Sequence, residues 1–159
     1  LFQEIRTNQG LAYSAGSFYR ARSEYGVFGT YAMTKSETTG KVASLLLAIV
    51  ERARKEPIKS KELTWAKKSI NDSFIFSFTS TEQIARQQLM LEFDNLPRDY
   101  IIKYQEQIQK VEIQNLRNVA NKYLSSDEKI ILVMGKEGVF DQLVSTFGKV
   151  EKVTIDNDR

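Results

Sequence analysis

The sequence predicts an α+β two-layer sandwich, a mostly antiparallel sheet with helices packed on one face. Three observations lead there. Two stretches near the N-terminus alternate with period two across a short polar link. A block of segments with helical spacing follows, and short β-rich runs return near the C-terminus. Strands and helices are therefore grouped instead of strictly alternating, which favours helices on one face of an antiparallel sheet. At 159 residues, with no repeat, low-complexity tract or linker, the chain reads as a single domain, 1–159.

Leu1-Phe2-Gln3-Glu4-Ile5 has the pattern of a last helical turn, which suggests a chain that begins partway through a helix. From residue 11 the pattern alternates. Leu11, Tyr13, Ala15 and Ser17 share one face, and Ala12, Ser14, Gly16 and Phe18 the other. A second extended run, Val27 to Met33, follows the polar link Arg22-Ser23-Glu24, and the two runs are expected to pair antiparallel. Ala15, Gly16 and Gly29 weaken strand propensity, so they call for another reason, such as close approach of a ligand or another backbone.

The period then changes. Val42, Leu45, Leu46, Ile49, Val50 and Ala53 recur at helical spacing up to Pro57. Ser60 can cap a second helix with Leu63, Ala66, Ile70 and Phe74. Thr79 and Glu82 fit a capping box for a third, through Ile84, Ala85, Leu89 and Leu91. "FDNLPRDY" breaks the pattern, and further helices follow, the clearest with Leu116, Val119, Ala120, Tyr123 and Leu124 on one face. Lys129 to Met134 reads as a short buried-type strand. Phe140, Leu143, Val144 and Phe147 suggest a short helix ended by Gly148, and Val150 to Ile155 a last edge strand.

Composition narrows the chemistry. Hydrophobic residues make up 42% and charged residues 27%, and the net charge of +3 comes from 23 basic and 20 acidic side chains that are interspersed. That is a mixed, solvated surface and not the clustered basic footprint of a nucleic-acid binder. The chain has no cysteine and no histidine. Thiolate catalysis is excluded, and the imidazole that zinc hydrolases and serine or cysteine triads usually need is missing. The longest apolar run, Val42 to Val50, is too short to span a bilayer, and no targeting segment is visible.

Within "IRTNQGLAYS" one cation and one phenol stand seven positions apart around a glycine. Gly10 can take the positive φ that ends a helix and lets the chain reverse into a strand. Arg6 then sits on the last helical turn and Tyr13 near the strand's beginning, both facing the same end of the sheet. A guanidinium offers a rigid fork of donors, and a phenol adds a neutral one. Such a pair suits polarising a peptide carbonyl and stabilising the charge that grows on it when water attacks. A plain structural role, Arg6 on helix carbonyls and Tyr13 half buried in the sheet, fits the same residues.

"LFQEIRTNQGLAYS" resembles the start of the C-terminal, non-zinc-binding domain of the insulinase (pitrilysin) family of metallopeptidases. "YGVFGTYAMT", "LPRDYIIKYQEQIQKV", "LRNVANKYL" and "KIILVMGKEG" extend the resemblance along most of the chain. In that family one copy of a duplicated domain carries an inverted H-x-x-E-H zinc motif. The other supplies an Arg and a Tyr in an "R…GLAY"-like sequence, matched here by Arg6 and Tyr13 with Gly10-Leu11-Ala12 between them.

The resemblance implies an accessory domain of a zinc endopeptidase, without zinc of its own. Zinc is expected in a homologous partner domain, in the same polypeptide or a separate subunit, and a peptide is expected between the two. Arg6 and Tyr13 would hold the substrate backbone, with Gly10, Ala15, Gly16 and Gly29 lining the chamber. The family's upstream strands and most of its first helix have no counterpart in 1–159. A non-catalytic assembly subunit of the same fold and a free-standing peptide-binding module are the rival expectations. The compartment stays open, periplasm or cytoplasm if the source is bacterial.

Elsewhere bland roles are expected. Tyr19, Arg20, Arg22 and Tyr25 read as a solvated hairpin end, and Trp65, Phe74, Phe76 and Phe78 as core. Glu82, Glu92 and Asp94 make a poor zinc site, because zinc prefers nitrogen and sulfur ligands.

Overall fold

The computed structural model describes residues 1–21, 24–124 and 129–153. A π-helical turn, Phe2–Asn8, leads into β1 (Ala12–Ala21) and β2 (Gly26–Thr34). Among the described residues five α-helices follow: α1 (Thr39–Lys55), α2 (Ser60–Phe74), α3 (Thr81–Phe93), α4 (Tyr100–Lys110) and α5 (Ile113–Tyr123). β1 and β2 pair as an antiparallel hairpin, and with the helices they make the α+β class that the sequence predicts. The chain divides into two compact units. One holds Leu1–Tyr19, Phe28–Val50 and described residues of the C-terminal segment, and the other holds Glu51 onward through α5 with the hairpin end.

The first unit is a small two-layer arrangement. Ile5, Ala12, Ala15 and Val42 are buried together, and Leu1, Leu11, Ala32, Leu45, Leu46 and Ile49 pack around them. The helical spacing of Val42, Leu45, Leu46 and Ile49 thus packs one stripe of α1 with Ile5 and the first residues of β1. Thr34 ties the strands' end to the next turn: its hydroxyl donates to the Leu11 carbonyl at 2.5 Å and shares a hydrogen bond with Thr38 Oγ1 at 2.7 Å.

Asp141 closes the start of α1 from the C-terminal segment. Its two carboxylate oxygens accept the Gly40 and Lys41 amides at 2.7 and 2.9 Å, satisfying donors that a helix N-terminus leaves open. Partial desolvation pushes this carboxyl up, but the Gly40, Lys41 and Asp141 amides and the Lys41 ammonium outweigh it and hold it below its ordinary 3.8. A depressed carboxyl stabilises the fold above the unfolded-state value, and that contribution is lost as pH falls through the folded-state value. Denaturant melts of wild type and Asp141→Asn should therefore differ at neutral pH and converge as pH drops below the ordinary carboxylate range. Curves that stay equally far apart at all pH values would show that the charge is not the cause.

Gly40 is buried beside this cap. A Cβ there would lie 2.5 Å from Gln142 Cβ, so Gly40→Val should cost about 1–3 kcal/mol in an unfolding titration, the scale of overpacking.

The second unit is helical. Lys59 N–H donates to Glu62 Oε2 at 3.1 Å at the start of α2. α3 begins one residue later than the expected box. Ser80 Oγ accepts the Gln83 amide at 3.2 Å, and Gln83 Oε1 accepts the Thr79 amide and hydroxyl at 2.9 and 2.8 Å. Gln83 thus takes the reciprocal role expected of Glu82. The strand-like alternation at 74–78 forms a 3-10 turn, Ile75–Phe78. Phe74 stacks on Tyr104 at 5.7 Å between centroids and meets Phe78 at 5.1 Å. Trp65 and Phe76 are 71% and 68% exposed and Phe74 and Phe78 only half-buried, so none of the four aromatics takes the core place expected of it.

The late elements differ from expectation. Residues 129–134 and 150–153 form no strand, and residues 154 and 155 lie outside the described residues. Strand propensity acts only when a neighbour completes the ladder. Ile130, Leu132 and Met134 are 98%, 87% and 92% exposed, while Ile131 and Val133 are half-buried. The helix expected over 140–147 shrinks to a 3-10 turn, Val144–Phe147. Phe140 and Leu143 are extended, because Asp141 and Gln142 between them are held against the N-terminus of α1.

Candidate functional site

The opening turn is π-helical and not the expected α-turn, and π-turns recur where a side chain must be re-aimed. Ile5 is its anchor, with no exposed surface. The turn ends through two backbone hydrogen bonds, Gly10 N–H to Arg6 O and Leu11 N–H to Ile5 O, both 3.0 Å. Gly10 has φ +62°, and a Cβ there would meet nothing within 4 Å. Glycine is needed for the dihedral alone, since left-handed backbone costs other residues about 1–2 kcal/mol.

With Ile5 fixed inward, Arg6 projects outward. β1 starts two residues after Gly10, with Ala12 buried and Tyr13 80% exposed. The Arg6 guanidinium carbon lies 5.6 Å from the centroid of the Tyr13 ring and 4.9 Å from that of Phe2. Two residues that the sequence sets seven apart are thereby brought together at the turn-to-strand junction, and Phe2 joins them. Its signal in the sequence was the position four residues ahead of Arg6, one helical turn away. Stacking on ring faces leaves the guanidinium's N–H edge as the group able to bind a carbonyl or carboxylate.

The small residues are placed differently from one another. Ala15 is 5% exposed with its methyl in the core, so any contact it makes with a ligand is through its backbone. Gly16 and Gly29 are each covered by a ring from the opposite strand. A Cβ on Gly16 would stand 3.1 Å from Tyr31 Cε1, and one on Gly29 would overlap the Phe18 ring. What approaches both glycines is an aromatic ring of the same hairpin, and not the ligand or second backbone that was expected. Tyr31 and Phe18 are 43% and 40% exposed, so their rings form this face of the hairpin.

Zinc does not fit this chain. It has no histidine or cysteine, and among the described residues no group of three or more Asp or Glu gathers that could hold a metal ion. No helix among the described residues is long and apolar enough to cross a membrane.

Comparison with known proteins converges on one family. The model for the peptidase M16 inactive domain matches residues 1–70, a stretch that holds the π-turn, the hairpin and α1. The zinc protease YmxG of Bacillus subtilis (strain 168) is 28% identical over 81 residues, 51% of this chain and 20% of its own length. A crystal structure of a peptidase M16 inactive domain from Pseudomonas fluorescens superimposes with a TM-score of 0.69 at 26% identity, covering 77% of this chain and 29% of that one. The chain thus spans a fifth of the curated relative and under a third of the solved one. The Arg6–Gly10–Tyr13 turn lies inside the stretch that matches the peptidase M16 inactive-domain model, and the chain is similar to that domain in sequence and in fold.

Proposed function

We propose that this chain completes the peptide-binding chamber of a zinc endopeptidase whose metal is held by a homologous domain, in the same polypeptide or as a separate subunit. The observation that carries the reading is the exposed Arg6 guanidinium beside Tyr13, both free of the core at the turn-to-strand junction. Zinc, when bound in the partner, would supply the activated water. This chain's part is to bind and polarise. The Arg6 fork and the Tyr13 hydroxyl donate to the substrate's backbone carbonyl and stabilise the oxyanion that forms on it. Ala15, Gly16 and Gly29 line the chamber through backbone and through the Phe18 and Tyr31 rings that cover the glycines.

The test is reconstitution. Unstructured peptides are offered to the zinc-bearing domain alone, to this chain alone, and to the two together. Cleavage is expected only in the mixture, and it should vanish when the metal is chelated. Cleavage at an undiminished rate without this chain would overturn the reading. A tight complex that cleaves nothing would point to the assembly-subunit role.

A further inference from the structure

We infer that Phe2 is a positioning residue for Arg6, holding the guanidinium by a stacked contact so that its N–H edge stays presented to a bound peptide. The inference rests on the proposed role of Arg6 and deepens it. Phe2 is 49% exposed at the start of the π-turn, although a large apolar ring gains most by burial. Its ring instead meets the Arg6 guanidinium, at 4.9 Å from the centroid, closer than the Tyr13 ring at 5.6 Å. The same turn that buries Ile5 completely leaves the residue one turn before Arg6 on the outside with it.

An exposed arginine has many rotamers, and ordering it on binding opposes affinity. A cation lying over an aromatic face is attracted by the ring quadrupole, and the ring does not compete for the in-plane N–H donors. Phe2 therefore restricts Arg6 without consuming the groups that recognise a carbonyl. Tyr13 does the same from the strand while keeping its hydroxyl for the substrate. The π-turn brings Phe2, Arg6 and Tyr13 into one aromatic-cation-aromatic group.

The experiment compares wild type with Phe2→Leu and Phe2→Tyr, each alone and combined with Arg6→Ala, in the chain paired with its zinc-bearing domain. Phe2→Leu keeps the apolar bulk and removes the π-face, and it should lower kcat/KM about 2- to 5-fold, the range for an exposed cation–π contact. Phe2→Tyr should retain wild-type activity. In the Arg6→Ala background Phe2→Leu should change nothing further, since the contact is already gone. Nuclear magnetic resonance of the Arg6 side chain in this chain gives a second readout that does not depend on hydrolysis. Phe2→Leu should shift the Nε–H proton downfield and loosen its fast motion, and Phe2→Tyr should do neither.

An Arg6 signal unmoved by Phe2→Leu overturns the inference, as does an equal loss of activity from Phe2→Leu with and without Arg6. If Arg6→Ala itself leaves cleavage intact, the functional role of Arg6 fails, while the resonance comparison still decides whether Phe2 holds it.

Discussion

Replacing Arg6 by alanine should depress kcat/KM for peptide cleavage by tenfold or more, with little change in the unfolding midpoint. Arg6 is exposed and its guanidinium contacts only the Phe2 and Tyr13 rings among the described interactions, so its removal leaves no buried partner unsatisfied. In the proposed role its value lies in what it donates to a substrate. Loss of one preorganised oxyanion donor costs about 10²- to 10³-fold in a fully enclosed site. The expected floor is lower here because both groups stand in solvent, and water screens charge. Arg6→Lys keeps the charge but loses the planar fork, and an intermediate rate is expected.

Tyr13→Phe isolates the hydroxyl. The ring that stacks on Arg6 stays, so a drop of about tenfold or more would report the phenolic donor alone. Steady-state kinetics of the reconstituted enzyme measure both variants. Unchanged kcat/KM in the two together would remove this site from the mechanism and leave the assembly role as the better account.

Ile5→Ala is the largest stability effect expected. Among the described residues Ile5 is the one large side chain with no exposed surface, and it joins the π-turn to β1 and α1 through Ala12, Ala15 and Val42. Truncating a fully buried isoleucine costs about 2–5 kcal/mol, from lost transfer energy and the cavity left behind. Ile5→Val should cost only about 0.5–1.5 kcal/mol. Denaturant titrations give these numbers. Because Ile5 fixes the orientation of the turn, Ile5→Ala should also loosen Arg6, so its activity loss must be read at a temperature where the variant is folded. An Ile5→Ala midpoint within error of wild type would mean that the turn is held by something other than this core.

The hairpin and the five helices lie close to where local patterns place them. The extended runs 11–20 and 27–33 need only each other as partners, and β1 and β2 provide this within one hairpin, although burial along β1, with Ala12 and Ala15 both inside, departs from strict alternation. The helical stripe of Val42, Leu45, Leu46 and Ile49 faces the hairpin because both patterns bury the same kind of side chain. Gly10 is legible for a different reason, since a positive φ at the end of a turn is a demand on one residue. Arg6 and Tyr13 could be singled out from their spacing around it. The ring coverage of Gly16 and Gly29 could not, because it depends on which residue stands opposite on the other strand. Neither could the segment 129–134, whose strong β-character is idle without a neighbour to share its hydrogen bonds.

By itself the sequence determined the local elements, the chemistry it lacks through having no histidine or cysteine, and the glycine-assisted reversal between Arg6 and Tyr13. Those depend on dihedral preference, periodicity and side-chain type, which are properties of neighbouring residues. Tertiary structure alone decided that Asp141 caps a helix a hundred positions upstream and that Ala15 turns into the core. Each of these is a contact whose energy exists only once distant or opposing segments are in place, so no local pattern encodes it.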